Sequence, residues 1–227
     1  MKKYTTLLFD SDDTLLDFKA AEYSALMQMM SDKGLPFSPK NTEIYSNINK
    51  GYWKAFERGE IEKNEIYVGR FKSFFEHLGV SEDPVSAAAV YEENLGKNHQ
   101  LVNGAIELLQ KLYGKYEMYI VTNGRDCIQK QRLNDSGIIN YVSGVFISEI
   151  VGVPKPEKKY FDYVFDNIPE KDLSKILITG DSMSSDILGG KNSGIDTCWY
   201  NPHGESPKYT PTYEIRTLSE LEEILGI

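Results

Sequence analysis

The most constraining feature of the sequence is an apolar run near its start that ends abruptly in acids. Leu7-Leu8-Phe9 is followed at once by Asp10, Asp12 and Asp13, and the chain turns apolar again at Leu15. Such a run is typical of a buried strand in a parallel α/β sheet, where ligands bind at the carboxyl ends of the strands. Clustered carboxylates repel one another, but their hard oxygens suit Mg²⁺. Taken alone, the segment is equally explained as a solvated acidic turn.

Composition and charge narrow the class of protein. A chain of 227 residues accommodates one large domain or a domain with an insertion. Its 25 basic and 34 acidic residues give a net charge of −9, which argues against a nucleic-acid polymer or an anionic membrane as partner. A metal and one lysine can still attract a small anionic substrate.

Cysteine usage and hydropathy indicate a cellular location. Cys127 and Cys198 show neither metal-ligand spacing nor a disulfide framework. The apolar run near the start of the sequence is too short for a signal peptide, and no long apolar segment follows it. We therefore expect a soluble, cytoplasmic protein. We also expect a monomer or homodimer, although no sequence pattern favours one of the two.

The hydrophobic pattern divides the chain in two. From residue 17 to about residue 100 it predicts helices alone, over 18–33, from Ser38-Pro39 to Gly59, up to Gly79, and over 85–95. Beyond residue 100, predicted helices, one of them over 184–193, alternate with predicted strands at 118–122, 145–147, 176–180 and 196–200. This alternation predicts a doubly wound parallel α/β sheet formed by residues 1–16 and 101–227, with an all-helical domain inserted at 17–100.

Polar side chains stand at four carboxyl-end positions of the predicted sheet. They are Asp10 and Asp12, then Thr122-Asn123-Gly124, then Lys155, and finally Gly180-Asp181-Ser182 with Asp186. Because the carboxyl ends of parallel strands share one edge, we expect these groups to converge on one crevice. Taken singly, Thr122 is better explained as a helix cap, Lys155 as a solvated lysine and 180–182 as a tight turn. Their joint occurrence is not explained by secondary structure.

The acids have distinct chemical assignments. A carboxylate is a competent nucleophile towards phosphorus once a metal shields its charge, and Asp10 at the strand end is the candidate. Asp12 is placed to protonate the leaving oxygen and then to deprotonate water, and its backbone carbonyl is a candidate metal ligand. Asp181 completes the cation site, and Asp186 supports it directly or through water.

The remaining groups are assigned to the phosphoryl group. The Thr122 hydroxyl is placed to contact a phosphoryl oxygen, and the N–H groups of Asn123 and Gly124 at a helix start bind anions readily. Lys155 supplies the positive charge that balances the nucleophile and the transferring group.

These residues, in this order, resemble the four motifs of the haloacid dehalogenase superfamily: Asp10-x-Asp12-x-Thr14, Thr122, Lys155 within Pro154-Lys155-Pro156, and Gly180-Asp181-Ser182-x-x-x-Asp186. The resemblance implies a Rossmann-like core, bound Mg²⁺ and an aspartyl-phosphate intermediate on Asp10. It also implies that residues 17–100 are a C1-type cap of subfamily IA, which closes over the site. Asp12 matches the phosphatases and mutases of the superfamily, whereas its dehalogenases lack an acid there.

The inserted segment is similar to the cap of the YjjG/YfnB-type pyrimidine 5′-nucleotidases, through Asn49-Lys50-x-x-Trp53 and Gly69-Arg70-Phe71. Trp199-Tyr200-Asn201-Pro202 also looks like that group. The resemblance implies a nucleoside 5′-monophosphate substrate, with Asn49, Trp53 and Arg70 as candidate binding residues. An aromatic ring can stack on a base, and Arg70 can pair with phosphate.

Several alternatives stay open at this point. Trp53 and Phe71 on amphipathic helices are also explained as cap interior, and Asn49 and Arg70 as a structural hydrogen bond between cap helices. A sugar phosphatase, such as an acylneuraminate 9-phosphatase, or a phosphosugar mutase shares these motifs. A receiver-like phospho-acceptor that does not turn over is a possibility from a different class.

Overall fold

The computed structural model describes residues 4–227. It contains two compact units, one formed by the chain up to Phe18 together with His99–Ile227, the other by Lys19–Asn98. We call them the core unit and the helical unit. Residues 1–3, which begin the predicted core domain, lie outside the described residues.

The described residues form six strands and ten α-helices. The strands are β1 (Thr6–Phe9), β2 (Glu117–Thr122), β3 (Gly144–Ile147), β4 (Ile176–Gly180), β5 (Asp196–Tyr200) and β6 (Tyr213–Ile215). The helices are α1 (Phe18–Asp32), α2 (Pro39–Glu57), α3 (Lys63–Leu78), α4 (Pro84–Lys97), α5 (Ala105–Leu112), α6 (Asp126–Asp135), α7 (Ser148–Val151), α8 (Lys158–Asp166), α9 (Leu188–Ser193) and α10 (Glu220–Leu225).

All strand pairs of the sheet are parallel, and the strand order is β3-β2-β1-β4-β5-β6. The predicted doubly wound parallel sheet is confirmed. Phe9, the last residue of β1, is level with Ile120 of β2 and Thr179 of β4. The chain winds from β1 towards β3 on one side and from β4 towards β6 on the other. The junction of β1 and β4 is therefore the switch point, where sheets of this kind bind ligands.

Three elements differ from the sequence-based expectation. β6 and α7 were not predicted, because each has four residues or fewer and no resolvable periodicity. The helix predicted over 184–193 begins instead as a π-helical turn, Met183–Ile187, and continues as α9. That turn directly follows the acidic end of β4.

Side-chain alternation along β1 builds two apolar layers. Leu7 and Phe9 face a cluster that includes the apolar side of α5 and Leu221 of α10. Leu8 faces the opposite cluster, which includes Tyr160 and Phe161 of α8. A strand buried on both faces reads as a continuous apolar run, which is why β1 is recognisable in the sequence.

The helical unit is organised around an aromatic interior. Tyr45 of α2 packs against Phe71 and Phe74 of α3 and against Tyr91 of α4, with ring centroids 5.2–5.5 Å apart. Ser38 caps α2 by accepting the N–H of Asn41. These contacts join three of its helices through one buried ring system.

None of the helices in residues 4–227 combines the length and apolar composition needed to cross a bilayer.

Candidate active site

The centre of the site is the buried ammonium group of Lys155. Its Nζ donates hydrogen bonds to Asp10 Oδ1, to Asp186 Oδ1 and to the carbonyl oxygen of Val121, each at 2.7 Å. The Lys155 side chain is 1% exposed. A buried cation is tolerated only when its donors are paired in this way. Lys155 thereby connects the end of β1, the end of β2 and the turn after β4.

Asn123 holds the loop that carries Lys155. Its side-chain amide donates to the carbonyl oxygen of Lys155 at 2.8 Å and accepts the N–H of Lys155 at 2.9 Å. This reciprocal pair mimics a turn of backbone pairing and sets the direction in which the lysine leaves the chain. Asn123 was expected to contribute a backbone N–H to an anion; the structure shows that its side chain has a positioning role.

Three carboxylates form a candidate metal centre beside Lys155. Oxygens of Asp10, Asp181 and Asp186 all lie within 4.8 Å of one another. Three carboxylates and one ammonium leave a formal charge of −2, which a single Mg²⁺ balances, and an all-oxygen donor set is the one that Mg²⁺ prefers. Both oxygens of Asp186 already accept hydrogen bonds, from Lys155 Nζ at 2.7 Å and from the N–H of Ser182 at 3.1 Å. The residues present therefore fit a magnesium ion.

The electrostatics of the cluster support the same conclusion. Burial raises the pKa of Asp10 to about 7, with Asp186 and Asp12 acting in the same direction against the opposing charge of Lys155. Burial and the charges of Asp10 and Asp186 raise the pKa of Asp181 well above its usual range. Burial alone would lower the pKa of Lys155, yet its two carboxylate neighbours raise it above the usual value. The site is short of positive charge.

The backbone of Asp181 is held from two sides. Its N–H donates to Thr14 Oγ1 at 3.1 Å, and Thr14 Oγ1 lies 3.4 Å from Asp10 Oδ2. Its carbonyl oxygen accepts the indole N–H of Trp199 at 2.8 Å. Thr14 and Trp199 thus connect the two acid-bearing turns and β5, and neither role was assigned from the sequence.

Asp12 is held by α6, away from the Lys155 contacts. Arg132 Nη1 donates to Asp12 Oδ1, and Gln129 Nε2 donates to Asp12 Oδ2. Ser11 Oγ donates in turn to Gln129 Oε1 at 3.2 Å. Sequence reasoning missed Gln129 and Arg132. A signal existed: α6 has few apolar residues (its sequence is DCIQKQRLND), so a buried face on it has to include polar side chains.

Asp13 has a structural role that the sequence did not reveal. It adopts φ = 58°, the left-handed region that an aspartate tolerates better than most residues. Its Oδ1 accepts the N–H of Phe18, the first residue of α1, at 3.1 Å. Asp13 therefore turns the chain and satisfies a free N–H at the start of the helix that follows.

Thr122 and Gly124 contact each other. The N–H of Gly124 donates to Thr122 Oγ1 at 3.0 Å. A hydroxyl accepts and donates at once, so this contact orients the Thr122 proton away from Gly124. Thr122 is 1% exposed. Its contact with a phosphoryl oxygen stays a prediction.

The comparison with protein families is decisive once this geometry is known. Residues 7–200 match the model of the haloacid dehalogenase-like hydrolases, which spans β1 through β5 and the helical unit. The chain belongs to the haloacid dehalogenase-like hydrolase family. Asp10, Thr122, Lys155 and Asp181, the residues that suggested this family in the sequence, all lie within the matched range.

Several bacterial relatives match this chain over nearly its whole length. The HAD-hydrolase YfnB of Bacillus subtilis is 43% identical over 229 residues, covering 100% of this chain and 97% of the relative. A crystal structure of YfnB bound to magnesium matches with a TM-score of 0.95, covering 100% of both chains. The pyrimidine 5′-nucleotidases PynA of Streptococcus pneumoniae and YjjG of Escherichia coli are 39% and 35% identical, each covering 98% of this chain and 95% or more of the relative.

The three candidate residues of the helical unit lie in different settings. Asn49 and Arg70 are 2% and 3% exposed, and Arg70 Nη1 donates to Asn49 Oδ1 at 3.0 Å. Asn49 Nδ2 donates to Glu22 Oε1 at 2.7 Å, and burial raises the pKa of Glu22. The structure therefore contains the structural hydrogen bond between helices that the sequence left open. Trp53 is half-buried, with its ring 6.0 Å from that of Phe56.

The raised pKa of Asp10 predicts a pH-dependent affinity for Mg²⁺. Below a pKa of about 7 the carboxyl is protonated, and the proton must leave before the oxygen coordinates a metal. Affinity for Mg²⁺ should therefore fall about tenfold for the pH unit below 7 and level off above it. Isothermal titration with MgCl₂ at pH 6 and pH 8 measures this. Asp172→Asn, at an exposed carboxylate, should bind as the wild type does; equal affinities at the two pH values would contradict the prediction.

The Glu22–Asn49–Arg70 network predicts a stability effect. Asn49→Ala leaves a buried carboxylate and a buried guanidinium without their shared partner, so the free energy of unfolding should fall by about 3 kcal/mol. Urea unfolding followed by circular dichroism measures it. Asn64→Ala, an exposed position on α3, should change stability by about 0.5 kcal/mol or less. Unchanged stability of the Asn49 variant would show that the network contributes nothing to the helical unit.

Proposed function

We propose that the chain is a Mg²⁺-dependent phosphomonoester hydrolase that forms an aspartyl-phosphate on Asp10 and acts on nucleoside 5′-monophosphates. The observation that carries the reaction type is the arrangement at the β1/β4 junction. There, one carboxylate, Asp10, is at once hydrogen-bonded to Lys155 and grouped with Asp181 and Asp186. Membership of the haloacid dehalogenase-like hydrolases supports the same chemistry.

The first half of the reaction uses Asp10 and Asp12. A carboxylate oxygen of Asp10 attacks phosphorus, the bond from phosphorus to the leaving oxygen breaks, and Asp12 gives that oxygen a proton. Asp10, Asp181 and Asp186 would hold a Mg²⁺ ion, and the ion would shield the phosphoryl charge from the nucleophile. Lys155 holds Asp10 in place and adds a positive charge where the transition state is negative.

The second half regenerates Asp10. Water attacks the phosphorus of the aspartyl-phosphate while Asp12 takes a proton from it, and the bond from phosphorus to Asp10 breaks. Asp10 recovers its carboxylate, and inorganic phosphate is released. The Thr122 hydroxyl and the N–H of Asn123 are the proposed contacts for the phosphoryl oxygens, because they lie at the end of β2, just before α6. The N–H of Gly124 orients Thr122 by donating to its hydroxyl.

The proposed substrate class is supported by the names of two relatives and by one aromatic side chain. PynA and YjjG are named pyrimidine 5′-nucleotidases, and both match this chain over 98% of its length. Asn49 and Arg70 are engaged inside the helical unit, so of the three candidates there we assign the half-buried Trp53 to the base. An indole face stacks on a nucleobase without demanding one pattern of hydrogen bonds.

Asp10→Asn tests the nucleophile. The amide is a poor nucleophile and cannot form the acyl-phosphate, so turnover should fall to background, by at least about 10⁴-fold. Phosphate release with Mg²⁺ measures turnover, and circular dichroism checks that the variant is folded. Asp135→Asn, at an exposed residue of α6, should keep wild-type activity. Full activity of Asp10→Asn in a folded protein would remove the assignment.

A substrate panel tests the class of substrate. With Mg²⁺, kcat/KM should be highest for pyrimidine nucleoside 5′-monophosphates, about tenfold or more above hexose phosphates and acylneuraminate 9-phosphate. Trp53→Leu should lower kcat/KM for the nucleotides by about tenfold and leave that for p-nitrophenyl phosphate unchanged.

Other outcomes of the panel have clear meanings. A preference for a sugar phosphate would overturn the nucleotidase assignment and leave the phosphatase standing. Product that remains a phosphosugar would indicate a mutase. Phosphate release that stops near one equivalent per chain would indicate a phospho-acceptor rather than an enzyme.

A further inference from the structure

Both carboxylate oxygens of Asp12 are held by one face of α6. Arg132 Nη1 donates to Oδ1 and Gln129 Nε2 donates to Oδ2. The two donors are three residues apart on a helix, a spacing that places them side by side. The proposed acid/base therefore has a defined orientation before any substrate is bound.

The two donors are buried, whereas their acceptor is not. Arg132 and Gln129 are 0% and 1% exposed, while the Asp12 side chain is 28% exposed. The guanidinium carbon of Arg132 lies 5.9 Å from the ring centroid of Phe18, which covers it. A buried guanidinium is stabilised by a neighbouring anion, and Asp12 is one such partner of Arg132.

The surroundings of Gln129 also restrict its side chain. Its Oε1 accepts from Ser11 Oγ at 3.2 Å, which orients the amide so that Nε2 points at Asp12. A Cβ placed on Gly124 would overlap the side chain of Gln129, so the glycine leaves the space that the amide fills. Ser11 and Gly124 come from the two loops that flank the site. Both loops therefore help to orient the Gln129 amide towards Asp12.

We propose that Arg132 and Gln129 are positioning residues for Asp12, and that they divide its two oxygens between them. Arg132 keeps Oδ1 throughout turnover, because separating a buried cation from a carboxylate that it contacts costs much free energy. Gln129 is neutral, so giving up Oδ2 costs less. Oδ2 is then the oxygen that gives a proton to the leaving group and later takes one from water. This inference rests on the proposed role of Asp12.

A double-mutant cycle tests whether Arg132 acts through Asp12. We expect Arg132→Gln to lower kcat for uridine 5′-monophosphate by about 30-fold, within the range of acid–base catalysis, with KM changed by about threefold or less. Asp12→Asn should lower kcat by about 10³-fold, and the double variant should be no slower than Asp12→Asn alone. Arg132→Lys, which keeps the charge, should recover most of the lost rate.

A leaving group that needs no proton separates the two steps. With p-nitrophenyl phosphate, Arg132→Gln should show a rapid burst of about one equivalent of nitrophenolate, followed by slow turnover. The burst reports transfer to Asp10, which needs no acid for this substrate, and the slow phase reports water activation, which needs Asp12. A loss of structure would slow the burst and the later phase together.

The controls keep the inference distinct from the proposed function. Lys130→Gln removes a charge from an exposed residue of α6 and should behave as the wild type does. If Arg132→Gln does not fold, Gln129→Met replaces it in the same cycle, with an expected loss of about fivefold in kcat. Multiplicative losses in the double variant would overturn the positioning role alone, since the wild type would still turn over. A wild type without turnover would overturn the proposed function itself.

Discussion

The core of the site depends on one buried ammonium group. Lys155 reaches the sheet from the loop before α8 and donates to Asp10, to Asp186 and to the backbone of β2. Each of these acceptors belongs to a different element, and without the shared cation the two carboxylates would repel each other. Parallel pairing brings the strand ends to one edge, but it is this contact that lets two acids be buried there. Parallel pairing of the strands places the carboxylates at one edge of the sheet, and the positive charge of Lys155 stabilises them there.

The two acids of the first motif are held by different cations. Asp10 is paired with Lys155 in the interior, and Asp12, two residues on, is paired with Arg132 of α6. The net charge of −9 says nothing about this arrangement, because it averages over the surface. Locally, each of these two acids is paired with a cation of its own. The carboxylates of Asp10, Asp181 and Asp186 exceed the single charge of Lys155 by two, and a divalent cation would balance this excess.

Most of the sheet and several residues of the candidate site could be predicted from the sequence, because buried parallel strands have a recognisable hydrophobic pattern. A strand buried on both faces, such as β1, leaves a continuous apolar run, and the residue after it lies at the ligand-binding edge. Asp10 and Asp181 were identified in that way, and Lys155 was identified from its place in the loop before a predicted helix. β6 was not, because three residues with one buried side chain carry no period. Asp13 was also beyond reach, since its φ of 58° and its bond to Phe18 arise from a turn with no regular spacing.

Polar residues on helices were the hardest to interpret, and two networks show why. Asn49 and Arg70 resembled ligand contacts but belong to a network with Glu22 whose three members are all buried. Gln129 and Arg132 were not predicted to belong to the site, yet their hydrogen bonds end on Asp12, which is partly exposed. In both networks the sequence shows only polar residues within a helix, and their spacing does not distinguish one network from the other. What separates them is whether the chain of hydrogen bonds ends on a group that solvent and substrate can reach, and that depends on tertiary packing. In this chain, the buried Arg132 reaches the candidate site through a carboxylate that is partly exposed, whereas the buried Arg70 contacts only buried partners of its network.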